Sequence, residues 1–190
     1  MRNTAFFVLG MVLLLIQENF FRLISALTAL ARLLHLPWHP FQTPGLTPAL
    51  VLPLVIFLGV REYSFLAGAA LAFVFGYASD VLGIVPVGLY TFAMVSLFLL
   101  ARALGLRLAT QTRLPQMLVT GGFALAKSGI VLVCLGIFGR DGWVARSVYP
   151  YALPHVFSTA LCAPLVFAAS EWVYSLTQAP SLARSKGSVL

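Results

Sequence analysis

Long apolar runs separated by short polar joints are the feature that most limits what this chain can fold into. Many of these runs approach the roughly 20 apolar residues that a helix needs to cross a bilayer. In lipid every backbone polar group must be satisfied within the segment, which a helix achieves. We therefore predict an all-α integral membrane protein with one domain, a six-helix transmembrane bundle over residues 1–176. The six spans are predicted at about 4–34, 48–59, 64–82, 86–106, 114–138 and 149–176.

Three segments leave room for other arrangements. The second run, 48–59, covers only about 18 Å at 1.5 Å per residue. It either crosses with little tilt or lies partly inside the bundle, so that five crossings stay possible. The N-terminus has some marks of a signal peptide, but the polar patch at 17–19 interrupts it, which favours a retained first helix. The polar tail, 177–190, is expected to be a disordered cytoplasmic segment.

Composition excludes several classes of function. Charged residues make up 9% of the chain and hydrophobic residues 61%. This leaves too few polar residues to form the surface of a soluble protein. The net charge of +7 comes from basic residues that fall mostly in the joints. There they orient a membrane protein and do not form a nucleic-acid surface, and their distribution predicts that both termini are cytoplasmic. No catalytic set, phosphate loop or metal-ligand spacing occurs, so we predict no enzyme, cofactor or metal.

Small residues recur every four positions in the third run. Gly68, Ala72, Gly76 and then Asp80 share one helix face. Lipid supplies no hydrophobic drive between helices, and small residues at this spacing let a second helix approach closely. This face predicts either a tight contact inside the bundle or a site for a partner protein, and the sequence leaves both open.

The carboxylate of Asp80 lies in an apolar run and therefore requires a stabilising interaction. An ionised carboxylate costs about 2.5–3.5 kcal/mol at the centre of a membrane helix, although less near an interface. Asp80 lies near the end of its run, where it can accept backbone amides and cap the following turn. Pro86 suits a first helical position, and Gly88 permits a positive φ. We therefore predict that Asp80 is a structural cap.

Two further charges lie at matching depths. Glu18 and Lys127 are each roughly 20 Å along their helices when counted from the same side. Opposite charges at equal depth in lipid are expected to pair, so we predict a buried ion pair between them. His155 lies at a depth similar to that of Asp80. This leaves a relay between those two as an alternative to an ordinary interfacial histidine.

The segment GAALAFVFGYASDVLGIVPVGLYTF, residues 68–92, resembles the rod shape-determining protein MreD family. That family has a glycine-rich helix running to an aspartate, then a short turn and a proline-x-glycine. The matching residues here are Gly68, Gly76, Asp80, Pro86 and Gly88. The resemblance covers about residues 48–105, and residues 150–175 more weakly.

The resemblance implies a non-enzymatic inner-membrane scaffold in the bacterial elongation machinery. Such a subunit works with MreC, MreB filaments, the peptidoglycan synthase RodA and its class B penicillin-binding partner to direct lateral wall synthesis. The family fold resembles the six-helix substrate-binding component of energy-coupling-factor transporters, and no catalytic residues carry over.

That fold leaves a second class of function, a vitamin-binding subunit of such a transporter. A binding subunit needs polar side chains that converge on an outward cavity, for which Asp80, Arg146 and His155 are candidates. A scaffold predicts no enclosed polar pocket. The two functions therefore make opposite predictions about the interior of the bundle.

Overall fold

The chain folds into helices alone within the residues that a computed structural model describes, which are 2–33, 47–61, 64–83, 86–105, 112–138 and 142–177. These residues form α1 Arg2–Leu33, α2 Val51–Val60, α3 Phe65–Leu82, α4 Leu89–Ala103, α5 Arg113–Phe138 and α6 Gly142–Thr177. Four helices, α1, α3, α5 and α6, contain stretches long and apolar enough to cross a membrane, and α2 and α4 are shorter apolar helices. For the described residues, the prediction of helices is thereby confirmed, and four of the six helices have membrane-spanning length.

Five helices form a ring around α2. In the order α1, α3, α4, α5, α6, each helix packs on the next, and α6 closes the ring on α1. The central helix α2 contacts all five. Its ten residues are all buried, as expected for a helix that is apolar around its whole circumference. The second run therefore lies inside the bundle, one of the two arrangements that the sequence allowed.

Polar side chains of two ring helices hold the start of α2. The hydroxyl of Thr159, on α6, accepts the amide of Ala49 at 2.9 Å. The Gln17 side-chain oxygen, on α1, lies 3.5 Å from the amide of Val51. A helix start leaves such amides without an intrahelical acceptor. Pro53 in the first turn has no N–H and so adds no unsatisfied donor there.

The other end of α2 contacts α6 through a charged pair that no pattern in the sequence indicated. Nη2 of Arg61 lies 2.8 Å from Oε1 of Glu171. The guanidinium also lies 5.5 Å from the ring centre of Phe57 and 5.4 Å from that of Tyr174. Arg61 thus combines an ion pair with two cation–π contacts at the end of the central helix.

We expect Arg61→Gln to lower the stability of the protein more than Glu171→Gln does. The two side chains are 43% and 49% exposed, so the ion pair is worth less than about 1 kcal/mol. Loss of Arg61 also removes two ring contacts, each worth about 0.5–1 kcal/mol at an exposed site. Thermal unfolding of both variants and of the double variant in detergent measures these effects. Equal losses in the two single variants would show that the rings contribute nothing.

The start of α4 differs from the prediction. Pro86 was predicted at the first helical position, and this is wrong, because α4 begins at Leu89. Pro86 lies in the preceding turn, where its carbonyl accepts the amide of Leu89 at 3.3 Å. Gly88 is the cap residue with φ 103°, a left-handed backbone that an α-helix does not contain. At the other boundaries, α6 begins at Gly142 and not near 149, and residues 178–190 of the tail lie outside the described residues.

Candidate functional site

Helices α3 and α4 approach each other at Gly76. A Cβ on Gly76 would lie 2.5 Å from Cα of Thr91, and 3.0 Å from both the nitrogen of Thr91 and the carbonyl oxygen of Tyr90. These are backbone atoms, so no flexible side chain can move aside. Gly68 and Ala72 are buried on the same face of α3. The glycine face of α3 therefore makes an intramolecular contact, which was the first of the two alternatives.

The carboxylate of Asp80 caps the N-terminus of α4. Its Oδ2 accepts the amide of Gly88 at 2.9 Å, the amide of Thr91 at 3.0 Å and the hydroxyl of Thr91 at 2.6 Å. Its Oδ1 accepts the amide of Tyr90 at 2.8 Å. Asp80 is only 2% exposed, and its charge faces the positive end of the α4 dipole. This is the capping role predicted from the sequence, here made across two helices.

We define the α3–α4 junction as the set of residues that join these two helices: Gly76, Asp80, Gly88, Tyr90 and Thr91. Gly76 allows the two backbones to meet, and the left-handed backbone of Gly88 turns the chain so that its amide faces Asp80. The junction engages both oxygens of Asp80, and no contact with His155 is formed. Nδ1 of His155 instead lies 2.6 Å from the carbonyl oxygen of Thr47. The described contacts thus give no support to a relay between Asp80 and His155.

A polar cavity of about 440 Å³ lies in the ring near the start of α2. It forms because α2, with ten residues, is only about 15 Å long, whereas the ring helices around it are longer. Every ring helix contributes to the lining, together with the segment before α2. The lining residues are Gln17, Glu18, Thr47, Ser79, Leu82, Gly83, Tyr90, Lys127 and His155.

Lys127 is the buried cation of this cavity. Its side chain is 7% exposed, and Nζ lies 4.9 Å from the ring centre of Tyr90. The predicted ion pair with Glu18 is not formed, since the ion pair found among the described residues is that of Arg61 with Glu171. Glu18 accepts a long hydrogen bond of 3.4 Å from its neighbour Gln17. The two opposite charges face one cavity but do not contact each other, because Lys127 extends over an aromatic ring.

The described residues contain no group of three His, Cys, Asp or Glu side chains that could hold a metal ion. Their two cysteines, Cys134 and Cys162, are free. A second cavity, of about 520 Å³, lies between the start of α4 and α5. Its lining is Pro86, Val87, Gly88, Leu89, Phe92, Cys134 and Leu135, which makes it an apolar groove.

Several residues of the polar cavity were not predicted. Gln17 could have been predicted as a cavity residue, because it lies in the polar patch beside Glu18. Tyr90 and Thr47 could not have been, since a tyrosine and a threonine at a membrane helix start are ordinary interfacial residues. Arg146, a candidate lining residue, lies outside the described side chains.

Comparisons of the chain with protein-family models, with curated proteins and with solved structures found no match. The resemblance of residues 68–92 to the MreD family stays a prediction. The geometry of the α3–α4 junction and of the polar cavity is therefore the basis on which a function can be argued.

Proposed function

We propose that this chain is a non-enzymatic scaffold subunit of the bacterial elongation machinery. In this proposal it resides in the inner membrane with both termini cytoplasmic and binds an MreC-like protein. Through that partner it acts with MreB filaments, RodA and a class B penicillin-binding protein in lateral peptidoglycan synthesis. Its contribution is to hold partners together in the membrane.

The observation that carries this proposal is that the residues of the MreD resemblance meet in one structural unit. Gly76 permits the approach of α4, Asp80 caps it, and Gly88 supplies one of the capped amides. Pro86 lies in the turn between them, and Gly68 is buried on the same face of α3. These residues therefore take part in one packed unit of α3 and α4, which supports reading them as a structural motif and not as isolated small residues.

A partner helix has to use a lipid-facing surface, because the glycine face of α3 is turned inward. On the outer side of α3, the rings of Phe73 and Tyr77 stack with centroids 6.5 Å apart and planes 1° apart. Both side chains are exposed, and we call them the α3 aromatic pair. Aromatic side chains carry much of the binding energy in protein interfaces. We infer that the α3 aromatic pair is part of the MreC-binding surface.

We expect the host's MreC-like protein to co-purify with the chain in mild detergent. The double variant Phe73→Ala/Tyr77→Ala should reduce the amount recovered about tenfold, because two anchoring rings are lost. Its matched control is Phe157→Ala/Leu161→Ala, which removes two exposed apolar side chains at the same spacing on α6 and should leave recovery unchanged. The melting temperature of each variant is measured alongside recovery.

Two results would count against these statements. If the folded wild-type chain recovers no MreC-like protein, the scaffold function fails. If the wild type binds but the α3 and α6 variants bind equally well, the partner uses a different surface.

The polar cavity favours a second candidate, the small-molecule (vitamin) binding subunit of an energy-coupling-factor transporter. A scaffold predicted no enclosed polar pocket, and the structure has a partly open cavity that is lined mainly by polar residues. Of the lining residues predicted for a transporter subunit, His155 is present and Asp80 is engaged elsewhere. Recovery of a pair of ATPase subunits in place of an MreC-like protein, in the same co-purification, would establish this second function over the first.

A further inference from the structure

The ammonium group of Lys127 has donors that the described residues do not use. A lysine ammonium carries three N–H donors. Burial of such a charge is unfavourable unless it is hydrogen-bonded or paired. The ring of Tyr90 meets the charge through its face but accepts no conventional hydrogen bond there. The remaining donor capacity of Lys127 is therefore available to the polar cavity that it lines.

Other lining residues supply acceptors. Glu18 is an exposed carboxylate of α1 that accepts a hydrogen bond from the side-chain amide of the adjacent Gln17. On α6, Nδ1 of His155 lies 2.6 Å from the Thr47 carbonyl oxygen. A carbonyl only accepts, so Nδ1 carries a proton, and Nε2 is an acceptor whenever the ring is neutral. The cavity thus combines a buried cation from α5 with acceptors from α1 and α6.

We propose that the polar cavity binds a small zwitterion of the amino-acid type. Its carboxylate pairs with the ammonium of Lys127, and its ammonium faces the carboxylate of Glu18. The volume of about 440 Å³ lies within the range of ligand pockets and holds an amino acid or a dipeptide. A ligand with one charge of each sign can contact both side chains, whereas a simple anion or cation makes only one of the two charged contacts. This binding goes beyond the scaffold function and does not depend on an MreC-like partner.

The direct test measures binding to the purified full chain in detergent. The probes are glycine, both enantiomers of alanine, and dialanine, with acetate and methylammonium as half-probes that carry a single charge. We expect at least one zwitterion to bind saturably in calorimetry and to raise the melting temperature. The half-probes should bind about tenfold more weakly or worse, since each makes only one of the two charged contacts.

Three variants locate the binding. Lys127→Met and Glu18→Gln should each weaken the best probe about tenfold or more. Leu125→Met, two residues from Lys127 and exposed on the same helix, is the matched control and should bind as the wild type does. If Lys127→Met does not fold, the proposal is tested by Glu18→Gln alone, because Glu18 is exposed and its substitution does not disturb the packed interior.

The proposal is overturned if no zwitterion binds the folded wild type. It is also overturned if acetate binds as tightly as the zwitterions, because the site is then a simple anion site, or if Glu18→Gln binds like the wild type. None of these results bears on the recovery of an MreC-like protein, so failure here and failure of the scaffold function are distinguishable.

Discussion

Gly76→Leu is expected to prevent the bundle from folding, and Gly76→Ala to lower its apparent melting temperature. Even the single methyl of alanine would lie 2.5 Å from Cα of Thr91, so α4 would have to move away from α3. Overpacking of this kind destabilises by about 1–3 kcal/mol and occasionally more. The shift would also pull the amides of α4 away from Asp80. Together these losses exceed the roughly 1 kcal/mol that alanine gains over glycine as a helix former.

The matched control for this prediction is Gly122→Ala on α5. Gly122 is exposed, and a Cβ there would meet no atom within 4 Å. The same substitution should therefore leave stability unchanged or raise it by the gain in helix propensity. Both variants are compared by thermal unfolding of the detergent-solubilised protein, followed by size-exclusion chromatography. Equal melting temperatures for Gly76→Ala and Gly122→Ala would show that α4 yields freely and that the close approach is not required.

Asp80→Leu is expected to destabilise the protein strongly, and Asp80→Asn to a smaller extent. The leucine variant leaves three amides and one hydroxyl without their acceptor, and buried donors left unsatisfied cost about 1–3 kcal/mol each. We therefore expect a loss of roughly 3 kcal/mol or more. Asparagine keeps one acceptor oxygen, which can serve the three donors at Oδ2. Its amino group then faces the N–H of Tyr90, so the variant loses one bond and the negative charge.

Neighbouring positions provide the controls for Asp80. Ser79→Ala removes a buried hydroxyl that bonds only to the Phe75 carbonyl within α3, and we expect it to have little effect. Thr91→Val removes only the hydroxyl donor of the junction and should lie between Ser79→Ala and Asp80→Leu. Unfolding of all variants is measured in one detergent. An equally large loss in Asp80→Asn and Asp80→Leu would show that the charge at the α4 dipole, and not the acceptor geometry, is what the junction requires.

The Asp80 cap could be predicted because its partners are close in sequence. Gly88 follows Asp80 by only eight residues. A carboxylate near a helix end, followed closely by a glycine, therefore predicts a capped turn. The starting residue of α4 was not predictable in the same way. A proline after a turn fits both the turn and the first helical position, and only the positive φ of Gly88 decides between them.

The ring of helices and its cavity depend on contacts between helices that local sequence patterns do not predict. A Cβ on Gly10 of α1 would overlap the ring of Phe75, and one on Gly59 of α2 would lie 2.9 Å from Cβ of Ala101. Neither glycine belongs to a small-residue repeat like that of α3.

The charges in the cavity show the limit of reasoning from depth. Depth follows from the rise per residue, and it predicted one level for Glu18 and Lys127, which both line the polar cavity. The direction of each side chain follows from the rotation of its helix, about 100° per residue, and from the tilt of the whole helix. Those angles are set by packing against neighbours, so the direct ion pair was predicted where the structure has an aromatic contact.

The position of α2 has a consequence for the order in which the chain is assembled in the membrane. Ten residues cover about 15 Å, half the thickness of the hydrocarbon core, so α2 alone cannot bridge a bilayer. One backbone group next to its start is satisfied by another helix, since the amide of Ala49 donates to the hydroxyl of Thr159 of α6. That acceptor is synthesised 110 residues later. The second helix to leave the ribosome therefore cannot reach its final hydrogen-bonded environment until the sixth helix has been made.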